Sequence, residues 1–250
     1  MANWSDPKTG LQGQAPGRLD TGTRDVAYDA GLRSYMLKVY NYMASGILLT
    51  GIVAMLFAQG GAQSPAATIL FAGGPLAWII MLSPLAFILV MSFGINRLST
   101  GALQACFWAF SVVMGLSLST IFLRYTGVSI AQTFFATSAA FVSLSLWGYT
   151  TKKDLSGWGT FLLMGLVGLI IAMVINIFLQ SSAMNFVISA IGVLIFAGLT
   201  AYDTQKIKSM YAHVAGTDMM GKTIIMGALN LYLDFINMFL FLLNFMGGRD

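Results

Sequence analysis

Seven long apolar runs, divided by short polar segments, set the pattern of the chain: residues 39–58, 76–95, 103–123, 130–149, 161–179, 184–201 and 224–245. Each comes close to the roughly 20 residues that a helix needs to cross a hydrocarbon core. Membrane strands would be about 10 residues long and strictly alternating. These runs are longer and do not alternate, so the pattern predicts seven transmembrane helices and an all-α integral membrane protein. The longest connections are 59–75 and 202–223. Pro84 falls inside the second run and predicts a kink, because proline has no N–H for the helical ladder. No internal repeat is evident. Residues 1–34 are polar with Gly and Pro and predict a disordered tail, leaving 35–250 as the membrane domain. No cleavable signal peptide is recognisable, so the first span is expected to act as its own insertion signal.

Charge adds an orientation. Only 9% of residues are charged, 57% are hydrophobic and the mean hydropathy is +0.79, whereas soluble domains carry about 25% charged residues. With the amino terminus placed in the cytoplasm, that side collects Lys8, Arg18, Arg24, Arg33, Lys38, Arg97, Lys152, Lys153, Lys206, Lys208 and Lys222, and the other side only Arg124 and Arg249. The bias predicts a cytoplasmic amino terminus, an odd number of spans and an outside carboxyl terminus. The basic residues form no run and do not interleave with aromatics, so nucleic acid is not an expected partner. Cys106 is the only cysteine and His213 the only histidine, which leaves no ligand set for zinc and no internal disulfide. His213 is expected in a solvated loop.

Small residues at helical spacing predict close helix packing. Ser111, Gly115 and Ser119 form one such stripe, and Gly168, Ala172 and Asn176 another, with Asn176 also open to lining a pathway.

The last run, ALNLYLDFINMFLFLLNF over residues 228–245, carries a carboxyl near its middle. Asn230, Asp234 and Asn237 share one helical face, with Asn244 seven residues further on. Lipid cannot satisfy such a stripe, so it is expected to face protein or trapped water, with Asn230 and Asn237 as pathway-lining candidates. An ionised Asp at mid-membrane costs about 2.5–3.5 kcal/mol on insertion scales, so a proton, a partner or water must offset it. Candidate partners are Asp203 after the sixth run, Arg97 after the second, and Lys206. Asp234 lies roughly 12–15 Å along its helix from the polar loop at 1.5 Å per residue, while Asp203 is expected near the interface. Contact therefore calls for a tilted or broken helix or a water-filled inlet. Two carboxyls that meet in a low dielectric cannot both ionise easily; they would share a proton and titrate as a unit. Losing that proton would break the bridge and free a carboxylate for Arg97 or for a cation, such as a transient calcium ion on Asp203 and Asp234. A structural reading also stands, in which Asp234 is a buried hydrogen-bonder held by Asn230 or Asn237.

AYDTQKIK after the sixth run, LYLDFINMFLFLL in the seventh and TKKDLS between the fourth and fifth together resemble signatures of the Bax inhibitor-one family, over about residues 35–246. The resemblance implies seven helices, the seventh central and surrounded by the other six. It also implies a pH-sensitive calcium leak, with Asp203 and Asp234 as the paired sensor and Arg97 as a latch. LSPLAFILVMSF in the second run has no acidic residue where some bacterial members carry one. The absence of a basic carboxyl-terminal tail, common in eukaryotic members, favours a bacterial inner-membrane protein. No tightly bound cofactor and no catalytic residue is expected; calcium would be cargo.

Two other classes compete. Intramembrane aspartyl proteases also use two aspartates, one in a Tyr-Asp pair, and Tyr202-Asp203 fits that half. The Gly-x-Gly-Asp of the other half is replaced by Leu231, Tyr232 and Leu233 before Asp234, so an enzyme is not expected. A regulatory protein that modulates a membrane protease or a cell-death pathway, using the amino-terminal tail on a membrane-protein partner, is the alternative to the leak.

Overall fold

The computed structural model describes residues 21–248, with side chains from Val26 onward. Eight α-helices follow in chain order: α1 Thr21–Phe57, α2 Pro65–Leu70, α3 Pro75–Gly94, α4 Thr100–Leu118, α5 Gly127–Thr150, α6 Ser156–Leu179, α7 Ser182–Val214 and α8 Met219–Met246. A 3₁₀ turn over Ser119–Leu123 prolongs α4. All but the short α2 are long and apolar enough to cross a membrane, which makes seven candidate spans among the described residues. No strand occurs there.

Hydroxyl side chains set where the spans begin. Ser99, Thr126 and Ser181 each accept a hydrogen bond from the backbone N–H three residues on, at 3.1–3.2 Å, and so start α4, α5 and α7. Such a cap is worth about 1 kcal/mol. Gln180 ends α6 with φ at 49°, and the Asn176 side chain closes the turn by accepting from Ser181 N at 3.1 Å. Within α3, Pro84 deprives the Ile80 carbonyl of its partner. The Ser83 hydroxyl donates to that oxygen at 2.9 Å, and the helix runs through unbroken.

α8 is the most deeply buried span: 67% of its most apolar stretch is inside the protein, against 33% or less for the others. α7, α1, α5 and α4 carry most of its contact, while α3 packs chiefly on α4 and α6 on α7. The lipid phase removes the hydrophobic drive between helices, so dispersion and close approach hold this core. Aromatic rings fill it: Phe110 meets Tyr232 at 5.1 Å and Phe141 meets Phe235 at 5.6 Å between centroids.

Several expectations are revised. The segment 202–223 is not a loop. α7 continues to Val214, because Thr200, Thr204, Ile207 and Tyr211 recur at helical spacing and are all buried. Only 215–218 turn before α8. His213 accordingly lies exposed in the last turn of α7. The segment 59–75 contains α2. Of the two small-residue stripes, Ser111, Gly115 and Ser119 are buried, and a Cβ on Gly115 would meet Val53 and the Thr50 carbonyl of α1. Gly168, by contrast, is exposed with open space beside it, while Ala172 of the same stripe is half-buried against the core, so the α6 stripe packs only in part. Buried Gly159, Leu162 and Leu169 form the main packing face. Of the tail expected over 1–34, the part from Thr21 on belongs to α1, where Leu32, Tyr35 and Met36 are buried; residues 1–20 lie outside the described residues.

Candidate gating site

Extending α7 resolves the depth difficulty posed by the two acids. Asp203 lies 11 residues before the end of α7 and Asp234 15 residues into α8, roughly 16 and 22 Å from the turn that joins these antiparallel helices. The two side chains therefore meet well inside the bundle, with their carboxyl groups within hydrogen-bonding reach of each other. Asp234 is 4% exposed and Asp203 is half-buried. Asp234 Oδ2 is sealed in with no donor among the described residues. A bond between two carboxyls requires a proton on one of them, and that proton is the donor the pair lacks.

The residues of the AYDTQKIK segment lock α7 in place around Asp203. The Tyr202 ring lies against Gly159 of α6, where a Cβ would come within 2.5–2.7 Å of ring atoms. A Cβ on Gly148 of α5 would fall on the Ala201 carbonyl, so the α5 and α7 backbones touch two residues from Asp203. Thr204 donates to the Thr200 carbonyl at 2.7 Å, which leaves Ser145 to donate to Thr204 at 2.9 Å and Tyr40 to donate to Ser145 at 2.6 Å. This hydroxyl chain ties α1, α5 and α7 together beside the pair. Gln205 accepts from Leu155 N and donates to the Lys153 carbonyl, both at 2.8 Å, clamping the TKKDLS connection. In that connection the Ser156 hydroxyl, together with the Ser156 N–H that donates to Asp154 Oδ1 at 2.9 Å, holds the exposed Asp154 carboxyl below its usual range. Lys208 donates to the Tyr149 carbonyl at 2.8 Å and sits 4.8 Å over the Tyr149 ring. Two sequence segments some 50 residues apart are thus one structural unit.

Other candidates fall elsewhere. Lys206 is exposed one turn beyond Asp203, close enough for its charge to act on that carboxyl. It lines a polar hollow of about 300 Å³ with Lys152, Lys153, Tyr202 and Gln205. Arg97 is exposed in the turn after α3 and makes no ion pair with either acid among the described contacts. Asn230 is half-buried; Asn237 donates to its own helix at Leu233 O, 2.8 Å away. Asn176 stands at the α6–α7 turn, roughly 30 Å along α7 from Asp203, at the other end of the bundle. No group of three or more His, Cys, Asp or Glu that could hold a metal ion occurs among the described residues. Reading the sequence did not single out Tyr35, whose fully buried hydroxyl has no partner among the described residues, or the Thr50–Tyr232 pair; their neighbours on other helices are invisible in one dimension.

The model of a family described as inhibitor of apoptosis-promoting Bax1 matches residues 32–250. The chain belongs to the Bax inhibitor-1 family. Among its relatives, a Rickettsia prowazekii protein is 47% identical, over 92% of this chain and 96% of the relative. A Caulobacter vibrioides protein is 43% identical over 90% and 92%. The inner membrane protein YbhL of Escherichia coli K12 is 44% identical over 88% and 94%. The family match spans all seven candidate membrane helices except the first residues of α1, and takes in both acids of the site.

Proposed function

We propose that this protein is a pH-sensitive cation leak, with calcium as cargo, in a bacterial inner membrane, and that Asp203 and Asp234 form its gate. One observation carries the reading: a carboxyl pair in contact inside a membrane bundle, with a buried oxygen that no donor among the described residues reaches. With the proton in place the pair bridges α7 to α8. Without it, two like charges about 4 Å apart repel by about 4 kcal/mol at an effective dielectric of 20. That energy favours separation of α7 and α8, or entry of a cation between the acids. Arg97, unpaired with either acid in the bridged state, is the proposed latch for the freed Asp203. The half-exposure of Asp203 beside the Lys206 hollow supports proton access from the end that bears the α5–α6 and α7–α8 connections. The lysine and arginine bias supports a cytoplasmic position for that end. The Escherichia coli relative, an inner membrane protein by name, supports the inner membrane.

The continuous α8 supports a gate over a protease. Leu231 and Tyr232 are fully buried ahead of Asp234, and the backbone there is helical, so no substrate strand can reach the acids.

The test is calcium flux from dye-loaded liposomes across a pH series. Asp203→Asn and Asp234→Asn keep a hydrogen bond through the amide but cannot share a proton, so each should flatten the pH dependence. A pH profile that survives both substitutions, in variants that elute like the native protein, removes the gate.

A further inference from the structure

A groove opens on the side of the bundle between α1 and α5, with a volume of about 820 Å³ and Phe235 of α8 among its lining residues. It exists because these two helices pack chiefly on α4, α7 and α8 and meet each other at the Tyr40–Ser145 bond. Its lining runs along α1 from Arg33 to Met55, 22 residues or roughly 33 Å, the thickness of one hydrocarbon layer at about 30 Å. Leu48, Ile52, Val142 and Leu146 make its walls apolar, and each is more than 40% exposed.

The two ends differ. Arg33 and Tyr149 line one of them, and Lys208 lies directly behind, on the Tyr149 carbonyl and over its ring. No acidic residue lines the groove. Asp29, one turn before Arg33, lies outside the lining. A positive terminus at the depth of the headgroups, leading into an apolar channel as long as the membrane is thick, complements an anionic amphiphile.

Width argues against a protein occupant. A helix about 10 Å across cannot enter between two helices that are joined by the Tyr40–Ser145 bond. A single hydrocarbon chain is far slimmer.

We propose that the groove binds an acidic phospholipid of the surrounding bilayer, one acyl chain lying between α1 and α5 and the phosphate at Arg33. The chain takes the place of side-chain packing that α1 and α5 lack. It lies against the Tyr40–Ser145–Thr204 hydroxyl chain, so it touches the same supports that hold α7. The site does not depend on the leak being correct.

The experiment uses the full chain in phosphatidylcholine vesicles that contain a small share of phosphatidylglycerol with a photoactivatable diazirine on its acyl chain. Adducts are mapped by mass spectrometry, with the exposed face of α6 around Phe161 and Ile170 as the ordinary lipid-contact reference. Labelling of residues 40–48 and 138–146 several-fold above that reference, competed by unlabelled phosphatidylglycerol and not by phosphatidylcholine, is the expected result. Ala44→Leu, at an exposed lining position, fills the groove and should return labelling to the reference level; Val142→Trp, also at an exposed lining position, serves as a second filler. Arg33→Gln should keep the labelling and lose the preference for the acidic lipid. Equal labelling of the groove and α6, unchanged by both fillers, overturns the proposal. Cross-linking between copies through cysteines placed at 48 and 142 also overturns it, since the occupant is then a second chain.

Discussion

The hydroxyl node between α1, α4 and α8 permits a quantitative test of how this core is held. Thr50 Oγ1 donates to the Ser111 carbonyl at 2.8 Å, so its single proton is committed, and the Tyr232 hydroxyl must donate to Thr50 at 2.7 Å. Tyr232 is 0% exposed and Thr50 3%. Tyr232→Phe removes one donor and leaves a lone pair on Thr50, whose oxygen keeps its bond to Ser111. Hydrogen bonds between membrane helices average about 0.6 kcal/mol and reach about 1.7, and this change should fall in that range. Thr50→Val is harsher, because it strands the buried O–H of Tyr232, a loss of about 1–3 kcal/mol. In the Tyr232→Phe background that O–H is gone, so Thr50→Val should cost less there, giving a coupling of at least about 0.5 kcal/mol. Reversible unfolding in bicelles, followed for the four proteins of the cycle, measures it. Additivity within about 0.3 kcal/mol would mean that the two hydroxyls do not meet and that α8 is held there by packing alone.

Two helical glycines should respond with opposite signs. Gly148→Ala drives a methyl onto the Ala201 carbonyl and should destabilise by about 1–3 kcal/mol, whereas Gly168→Ala, facing open space, should stabilise by about 0.5–1 kcal/mol; thermal melts of the detergent-solubilised protein compare them. Ser83→Ala removes the donor that serves the Ile80 carbonyl freed by Pro84 and should cost up to about 1.7 kcal/mol, a cost that vanishes in a Pro84→Ala background where the backbone serves that carbonyl. At the far end, Asn185 and Asn244 exchange two amide bonds at 3.1 and 3.2 Å. Asn244→Leu should speed hydrogen exchange of the first turn of α7 and leave the turn at 215–218 unchanged.

The family was legible because its signature residues are contiguous in sequence. AYDTQKIK and TKKDLS could be recognised as strings, yet their connection through Gln205 is tertiary: Leu155 and Lys153 lie about 50 residues away. Asp234 stood out as a carboxyl in an apolar run, since such a charge is costly in lipid. Asp203 was harder to place, because hydropathy ended the sixth run at residue 201. The next thirteen residues are amphipathic, and their helical character depends on burying Thr204, Ile207 and Tyr211 against neighbours that no window along the chain contains. The stripe of small residues on α6 packs at Ala172 but not at Gly168, for a related reason. Periodicity shows that residues share a face, but not which neighbour, if any, that face meets.

By itself, the sequence determined how many helices cross the membrane, roughly where they lie, and that one buried acid needs a partner. These follow from the length of apolar runs and from the cost of leaving backbone or charge unsatisfied in lipid, both of which are local. Only the tertiary structure decided that Asp203 is the partner, that Arg97 stands free of it, and that α1 and α5 part to leave a groove. Those outcomes depend on which helix faces meet and at what depth, and that is set by close approaches such as Gly148 on Ala201, a contact between residues 53 positions apart.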